Sequence, residues 1–205
     1  MVSTLSLARM SELDYGRWDP ALPEHADDLM RQPAWTPDPR DHRVLTLESL
    51  LDLVADAPGT RLFIETKHPV RYGGLVETKL VALLSRYGLA NPKSKEDSPV
   101  VIMSFSAMAV RRVRQLSATL PTVLLLEQLN ALRWDGTLPR FADHTGPGVH
   151  ILRKDPDYVA RAAGFGHRTY TWTVDEPVDV ELCRRLGVRW VATNSPVTTR
   201  RVLTR

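Results

Sequence analysis

From Val44 onward, apolar runs of four to six residues alternate with segments whose apolar positions recur at helical spacing. Thr46 is placed to cap a helix with the stripe Leu47, Leu50, Leu51 and Val54, spaced i, i+3, i+4, i+7. Pro58-Gly59 stops it, and the strand Arg61–Glu65 follows. A second helix is predicted over Leu75–Tyr87, with Val76, Leu80, Leu83, Leu84 and Tyr87 on one side and Gly88 as its C-terminal cap. Pro99–Ser104 is the next strand. Ser106 then opens a helix carrying Val110, Val113 and Leu116 inward and the arginines Arg111, Arg112 and Arg114 outward. Thr122–Leu126 predicts another buried strand, Gln128–Arg133 a short helical piece and Gly148–Leu152 a weaker strand. Asp155-Pro156 reads as cap plus first helical residue of a helix ending near Gly164. His167–Val174 is a strand, Pro177–Leu186 a helix closed by Gly187, and Val188–Thr193 a last strand. Ser195-Pro196 opens the terminal helix.

Six strand-plus-helix units in succession imply a parallel sheet covered by helices. An open doubly wound sheet and a (β/α)8 barrel both fit that alternation. The glycine motifs of dinucleotide and P-loop sites, which would favour the open sheet, are absent. Polar residues gather instead at the C-terminal ends of successive strands: Glu65 and Lys67, Ser104, Trp172, then Thr193 and Asn194. In a barrel those ends share one mouth, where such residues form a site. The expectation is a TIM-barrel type of α/β fold, incomplete, with about six of eight units, forming a single domain over residues 1–205.

Glu65 and Lys67 are the most informative pair. Side chains at i and i+2 of a strand leave the same face, so a carboxylate and an ammonium project side by side from the strand's end. Such a pair is able to hold a divalent cation and a phosphate together. An ordinary strand-end ion pair is the alternative.

Composition narrows the classes. Hydrophobic residues at 43% and charged residues at 25% are those of an ordinary globular protein. The single Cys183 excludes an intrachain disulfide and suits a reducing compartment. No apolar stretch approaches the ~20 residues of a membrane span, and Met1–Leu13 has no signal-peptide pattern. The expected location is the cytoplasm. A net charge of +3, with arginines at helical spacing, reads as solvated helix faces rather than a nucleic-acid surface. The first forty residues differ: five prolines lie between Asp19 and Arg40, with a short helix over Leu5–Leu13 before them. His25, Asp27, Asp28, Asp38, Asp41 and His42 fit no common metal spacing, and residues 19–43 read as a Pro-rich polar loop.

Four motifs in order, Leu62 to Pro69, Val101 to Ser106, Tyr170 to Asp175 and Ala192 to Pro196, closely resemble the glycerophosphodiester phosphodiesterase family. The resemblance covers about Val44–Val197, and Met1–Trp18 is similar to the segment that follows the family's first catalytic block. It implies a barrel that hydrolyses glycerophosphodiesters to glycerol 3-phosphate and an alcohol, in lipid metabolism, usually with a divalent cation such as Mg²⁺ or Ca²⁺. By position, Glu65 corresponds to a metal carboxylate, Lys67 to the phosphate-contacting lysine and Trp172 to a pocket-lining aromatic. Ser104, Thr193 and Asn194 are the remaining expected lining residues. The family's His-Arg-Gly, Glu-Asn-Thr, Glu-x-Asp and His-Asp elements belong upstream of these motifs, and none of the six histidines here matches a catalytic one. The expectation is therefore a phosphodiesterase-like protein whose start is assigned too late and whose 205 residues are inactive alone; the alternatives are a non-catalytic remnant that binds glycerophosphodiesters or a protein partner, and a folding-incompetent fragment. Open sheet edges predict self-association.

Overall fold

The computed structural model describes residues 5–13, 15, 44–57, 59–70, 72–129 and 133–204. The Pro-rich stretch, with two histidines and its aspartates, lies outside them. Among the described residues the chain opens with a short helix, α1 (Leu7–Ser11), and then alternates α2 (Leu47–Ala55), β1 (Leu62–Glu65), α3 (Leu75–Arg86), β2 (Val100–Ser104), α4 (Ala107–Leu116) and β3 (Thr122–Leu126). It continues with β4 (His144–Pro147), α5 (Val149–Lys154), α6 (Tyr158–Gly164), β5 (Tyr170–Thr171), α7 (Pro177–Leu186), β6 (Trp190–Val191) and α8 (Pro196–Leu203).

Every ladder is parallel. β1 to β4 form one sheet in sequence order and β5 pairs with β6. Isolated bridges Thr145–Thr169 and Gly148–Trp172 join the two sets, so six strands follow one another without reversal. That order is the barrel's; a doubly wound sheet would reverse it. The sheet also curls. Phe63 of the first strand stacks on Tyr170 at 5.2 Å and meets Trp190 of the last edge-on at 5.4 Å.

Alternation sorts the strand side chains into two layers. Val101, Val123, Leu125 and Tyr170 pack inside the curl with Phe63, Met103, Trp172 and Trp190. Leu62, Ile64, Val100 and Ile102 pack outward against α2 and α3 with Leu51, Leu80 and Leu84. Leu124 and Leu126 pack outward with Leu152, Tyr158 and Ala162. The central strands β2 and β3 are buried almost throughout, whereas β1 and β6 are half-buried. This is the pattern of an arc whose two end strands have one ladder neighbour each among the described residues.

Local signals explain the helix ends. The hydroxyls of Thr46 and Ser106 accept hydrogen bonds from the N–H groups of Ser49 and Ala109. Gly187 closes α7 at φ +75°, where a side chain would be strained.

Several expectations require correction. The predicted strand Gly148–Leu152 is β4 shifted upstream to His144–Pro147, followed directly by helix α5. Its Gly146 faces the interior so tightly that a Cβ would lie 2.7 Å from Leu125 Cδ2 and 2.9 Å from Val123 Cγ1. Neighbouring strands fill that space, so β4 needs no apolar run. Asp155 does not cap α6; Asp157 is its N-cap, and Asp155 pairs with Arg161. Leu116 is exposed rather than inward. Gln128 and Leu129 are not helical, and residues 130–132 lie outside the described set. α3 is rotated from its predicted facing: Glu77, Leu80, Val81 and Leu84 are buried, while Val76 is exposed.

Candidate functional site

At the C-terminal end of β1, Lys67 Nζ donates to both Glu65 oxygens, at 3.1 and 3.2 Å. The Glu65 side chain is 22% exposed and the Lys67 side chain 83%. Glu65 shares the interior face of Phe63, in register with interior Met103. Its charge reaches the aromatic layer beneath: burial first, and then Glu65, push the Tyr170 phenol above its ordinary pKa. An ion pair this exposed contributes at most about 1 kcal/mol to stability. The ammonium has three donors, and the carboxylate does not use them all.

Trp172 follows β5 on the same interior face. Its indole N–H donates to Gly146 O at 2.9 Å, and its ring meets Phe105 edge-on at 5.1 Å. Phe105 follows β2 and is 45% exposed. Two aromatic rings thus span the mouth from opposite sides of the arc.

Ser104 does not line the mouth. Alternation turns it to the helix layer with Val100 and Ile102, where it is buried and donates to Thr66 O at 2.7 Å. It fixes the backbone beside Lys67. Thr193 and Asn194 lie on the loop after β6, and both are held by Asp175. The Thr193 hydroxyl donates to Asp175 Oδ1 (3.1 Å), as does the Asn194 N–H (2.7 Å), and the Asn194 amide donates to Oδ2 (3.0 Å). Asp175 was not among the expected residues, although it ends the Tyr170–Asp175 motif; an acid just past a barrel strand was the available signal.

The described histidines are engaged elsewhere. His68 Nε2 bonds Glu77 at 2.6 Å, His150 Nε2 donates to Glu127 O at 2.9 Å, and His167 Nδ1 donates to Asp143 O at 3.0 Å. His144 sits at the opposite, N-terminal end of the strands, its ring 5.2 Å from that of Trp190.

A divalent cation wants about six oxygen ligands. Here one carboxylate stands beside an ammonium that occupies both its oxygens. No cluster of three or more His, Cys, Asp or Glu side chains occurs among the described residues. This donor set does not by itself fit such a cation, and no chemical step is assigned to one. Nor is any described helix long and apolar enough to cross a membrane.

A parallel βα arc in sequence order, with charged and aromatic side chains at the C-terminal strand ends, defines a TIM-barrel-like protein. Comparison with known proteins narrows this further. The model of the Glycerophosphoryl diester phosphodiesterase family matches residues 1–198. The "Probable glycerophosphodiester phosphodiesterase 1" of Mycobacterium tuberculosis is 42% identical over 199 residues, which cover 96% of this chain and 68% of that protein. The chain therefore belongs to the glycerophosphoryl diester phosphodiesterase family. Solved structures share the fold. A glycerophosphodiester phosphodiesterase from Parabacteroides distasonis superposes with TM-score 0.68 at 21% identity, over 80% of this chain and 66% of that one. An Oleispira antarctica phosphodiesterase, solved in complex with the product sn-glycerol-3-phosphate, gives TM-score 0.67 at 14% identity, over 82% and 64%. The chain thus spans about two thirds of the length of these relatives.

Proposed function

We propose that these residues form the phosphate-facing part of a glycerophosphodiester-cleaving site in lipid metabolism, with glycerol 3-phosphate and an alcohol as products. Lys67 engages the phosphate, Glu65 orients Lys67, and Phe105 beside them and Trp172 across the arc wall the site. The observation that carries this reading is the Glu65–Lys67 pair, aimed from the end of β1 into the same mouth as Trp172. The fit of an ammonium with spare donors to a phosphodiester supports it. Family membership supports the substrate class, as does the glycerol phosphate bound by the Oleispira antarctica protein.

Residues 1–205 alone bind without turning over. Hydrolysis needs a base for the nucleophile and an acid for the departing alkoxide, each contributing ~10²–10⁴-fold. Of the described histidines, His68 adjoins Lys67 in sequence but is turned to the helix layer, where it bonds Glu77. That β1 and β6 each have one ladder neighbour among the described residues further supports self-association of this polypeptide through strand pairing. The test is an assay of the purified 205-residue polypeptide on glycerophosphocholine with Mg²⁺ or Ca²⁺. The expected result is no detectable glycerol 3-phosphate release. Metal-dependent release abolished by Glu65→Gln would refute the inactivity.

A further inference from the structure

Glu77 is the third residue of α3, and its side chain is fully buried. A lone ionised carboxylate in that position is strongly destabilising unless it is paired and hydrogen-bonded. Its Oε1 takes a 2.6 Å hydrogen bond from His68 Nε2. Its Oε2 lies 3.8 Å from Arg112 NH1 of α4 and has no hydrogen-bond partner. Gly73 and Gly74 make room for Arg112, because a Cβ on either would sit 3.3–3.4 Å from its side chain. Three elements thus meet at this carboxylate: the loop after β1, the start of α3 and the outer face of α4.

His68 directly follows Lys67, and alternation sends the two side chains to opposite sides of one backbone. Lys67 rises over the mouth, and His68 is drawn into the helix layer. Ser104 holds the same segment from β2 through Thr66 O. Among the described residues Lys67 itself is tethered at its far end only by the half-buried Glu65 carboxylate. Fixing the peptide from which it springs is what limits where the ammonium can go, and less freedom is then lost when it meets an anion.

We propose that Glu77, acting through His68 and neutralised by Arg112, is a positioning residue for Lys67 in phosphate engagement. This rests on the reading of Lys67 given above. The test titrates the 205-residue polypeptide with sn-glycerol 3-phosphate, reading the Kd by NMR for the parent and for Lys67→Ala, His68→Asn, His68→Gln, Glu77→Gln and Leu84→Ala. Glu77→Gln and His68→Asn, whose amide is too short to reach Glu77, should weaken binding about tenfold, the low end for partners that orient a ligand-holding side chain. His68→Gln restores a donor near the Nε2 position and should return the Kd to within about threefold of the parent. Leu84→Ala, buried deeper in α3, should lower Tm and leave the Kd of the folded protein unchanged. If Lys67→Ala loses binding while Glu77→Gln and His68→Asn retain it, the positioning role is wrong and the Lys67 reading stands. If binding does not depend on Lys67, both fall. Should Glu77→Gln not fold, the His68→Asn and His68→Gln pair decides alone: equal Kd values overturn the proposal.

Discussion

His144 sits at the N-terminal end of the arc, its ring against Trp190 and its Nδ1 buried without a hydrogen-bond partner. Burial disfavours the imidazolium and brings its pKa down from 6.5 to about 4; Arg168 and His167 add to the effect, while Asp143 and Glu96 oppose it. The unfolded chain therefore takes up a proton near pH 6.5 that the folded chain refuses until about pH 4. Between those values the unfolded state binds more protons, so stability rises with pH: it is fully present above 6.5 and is lost as the solution is acidified. At 1.36 kcal/mol per pH unit, the gap amounts to about 3 kcal/mol at full protonation, of which about 2 kcal/mol is already lost by pH 5. The measurement is urea unfolding followed by circular dichroism at pH 7.5 and pH 5, on the parent and on His144→Phe, which keeps a ring against Trp190. Asp143 and Glu96 stay ionised throughout this window, since both carboxyls are held below their ordinary range. For Asp143 the upward push of burial is outweighed by Lys95, Arg114 and Thr122, and for Glu96 the chief cause is Arg168. Every other residue is common to the parent and the variant, so the difference between their losses reports on His144. The variant should lose about 2 kcal/mol less than the parent on acidification. Identical losses would refute the reasoning.

Two further outcomes test the packing. Cys183 is buried on α7, and burial first and then Asp179 push its thiol up to about 11. At pH 8 it should react with a disulfide reagent only as fast as the protein unfolds; stoichiometric labelling within seconds under native conditions would show that α7 is not seated as described. Gly136 has φ +88°, and a Cβ there would lie 2.6 Å from the Ala162 backbone nitrogen. Gly136→Ala should cost about 2–3 kcal/mol, combining backbone strain with displacement of α6, and a thermal melt within a degree of the parent would contradict it.

What the sequence made legible follows from how each residue earns its place. Thr46, Ser106 and Gly187 act within their own turn, so their type and spacing announce the cap. The runs at Val100 and Thr122 are buried on both faces and read as strands from their apolarity alone. β4 carries no such signal, because its interior space is filled by Val123 and Leu125 of the neighbouring β3, leaving it free to be His-Thr-Gly-Pro. Glu77 escaped notice for a related reason. A buried acid breaks the apolar stripe of its helix, and only the distant His68 and Arg112 explain its presence. At the site, Glu65 and Lys67 were readable because strand alternation is a local rule. The same rule applied to β2 turns Ser104 to the helix layer, away from the mouth, whereas Asp175 acts on residues eighteen and nineteen positions away.

The aromatic contact between the first and last strands has a consequence for how the chain reaches this shape. Phe63 and Trp190 are separated by nearly the whole of the described βα sequence, yet their rings are 5.4 Å apart. No local pairing brings them together; each intervening crossover must be wound before the two ends of the arc can face one another. Contacts of such long sequence separation are gained late, after the entropy of closing the chain has been overcome. The Phe63–Tyr170–Trp190 cluster is therefore expected to close late in folding rather than to nucleate it. Until it forms, the interior of the curl is an open apolar trough, so the order of assembly itself sets how long that surface stays in contact with water.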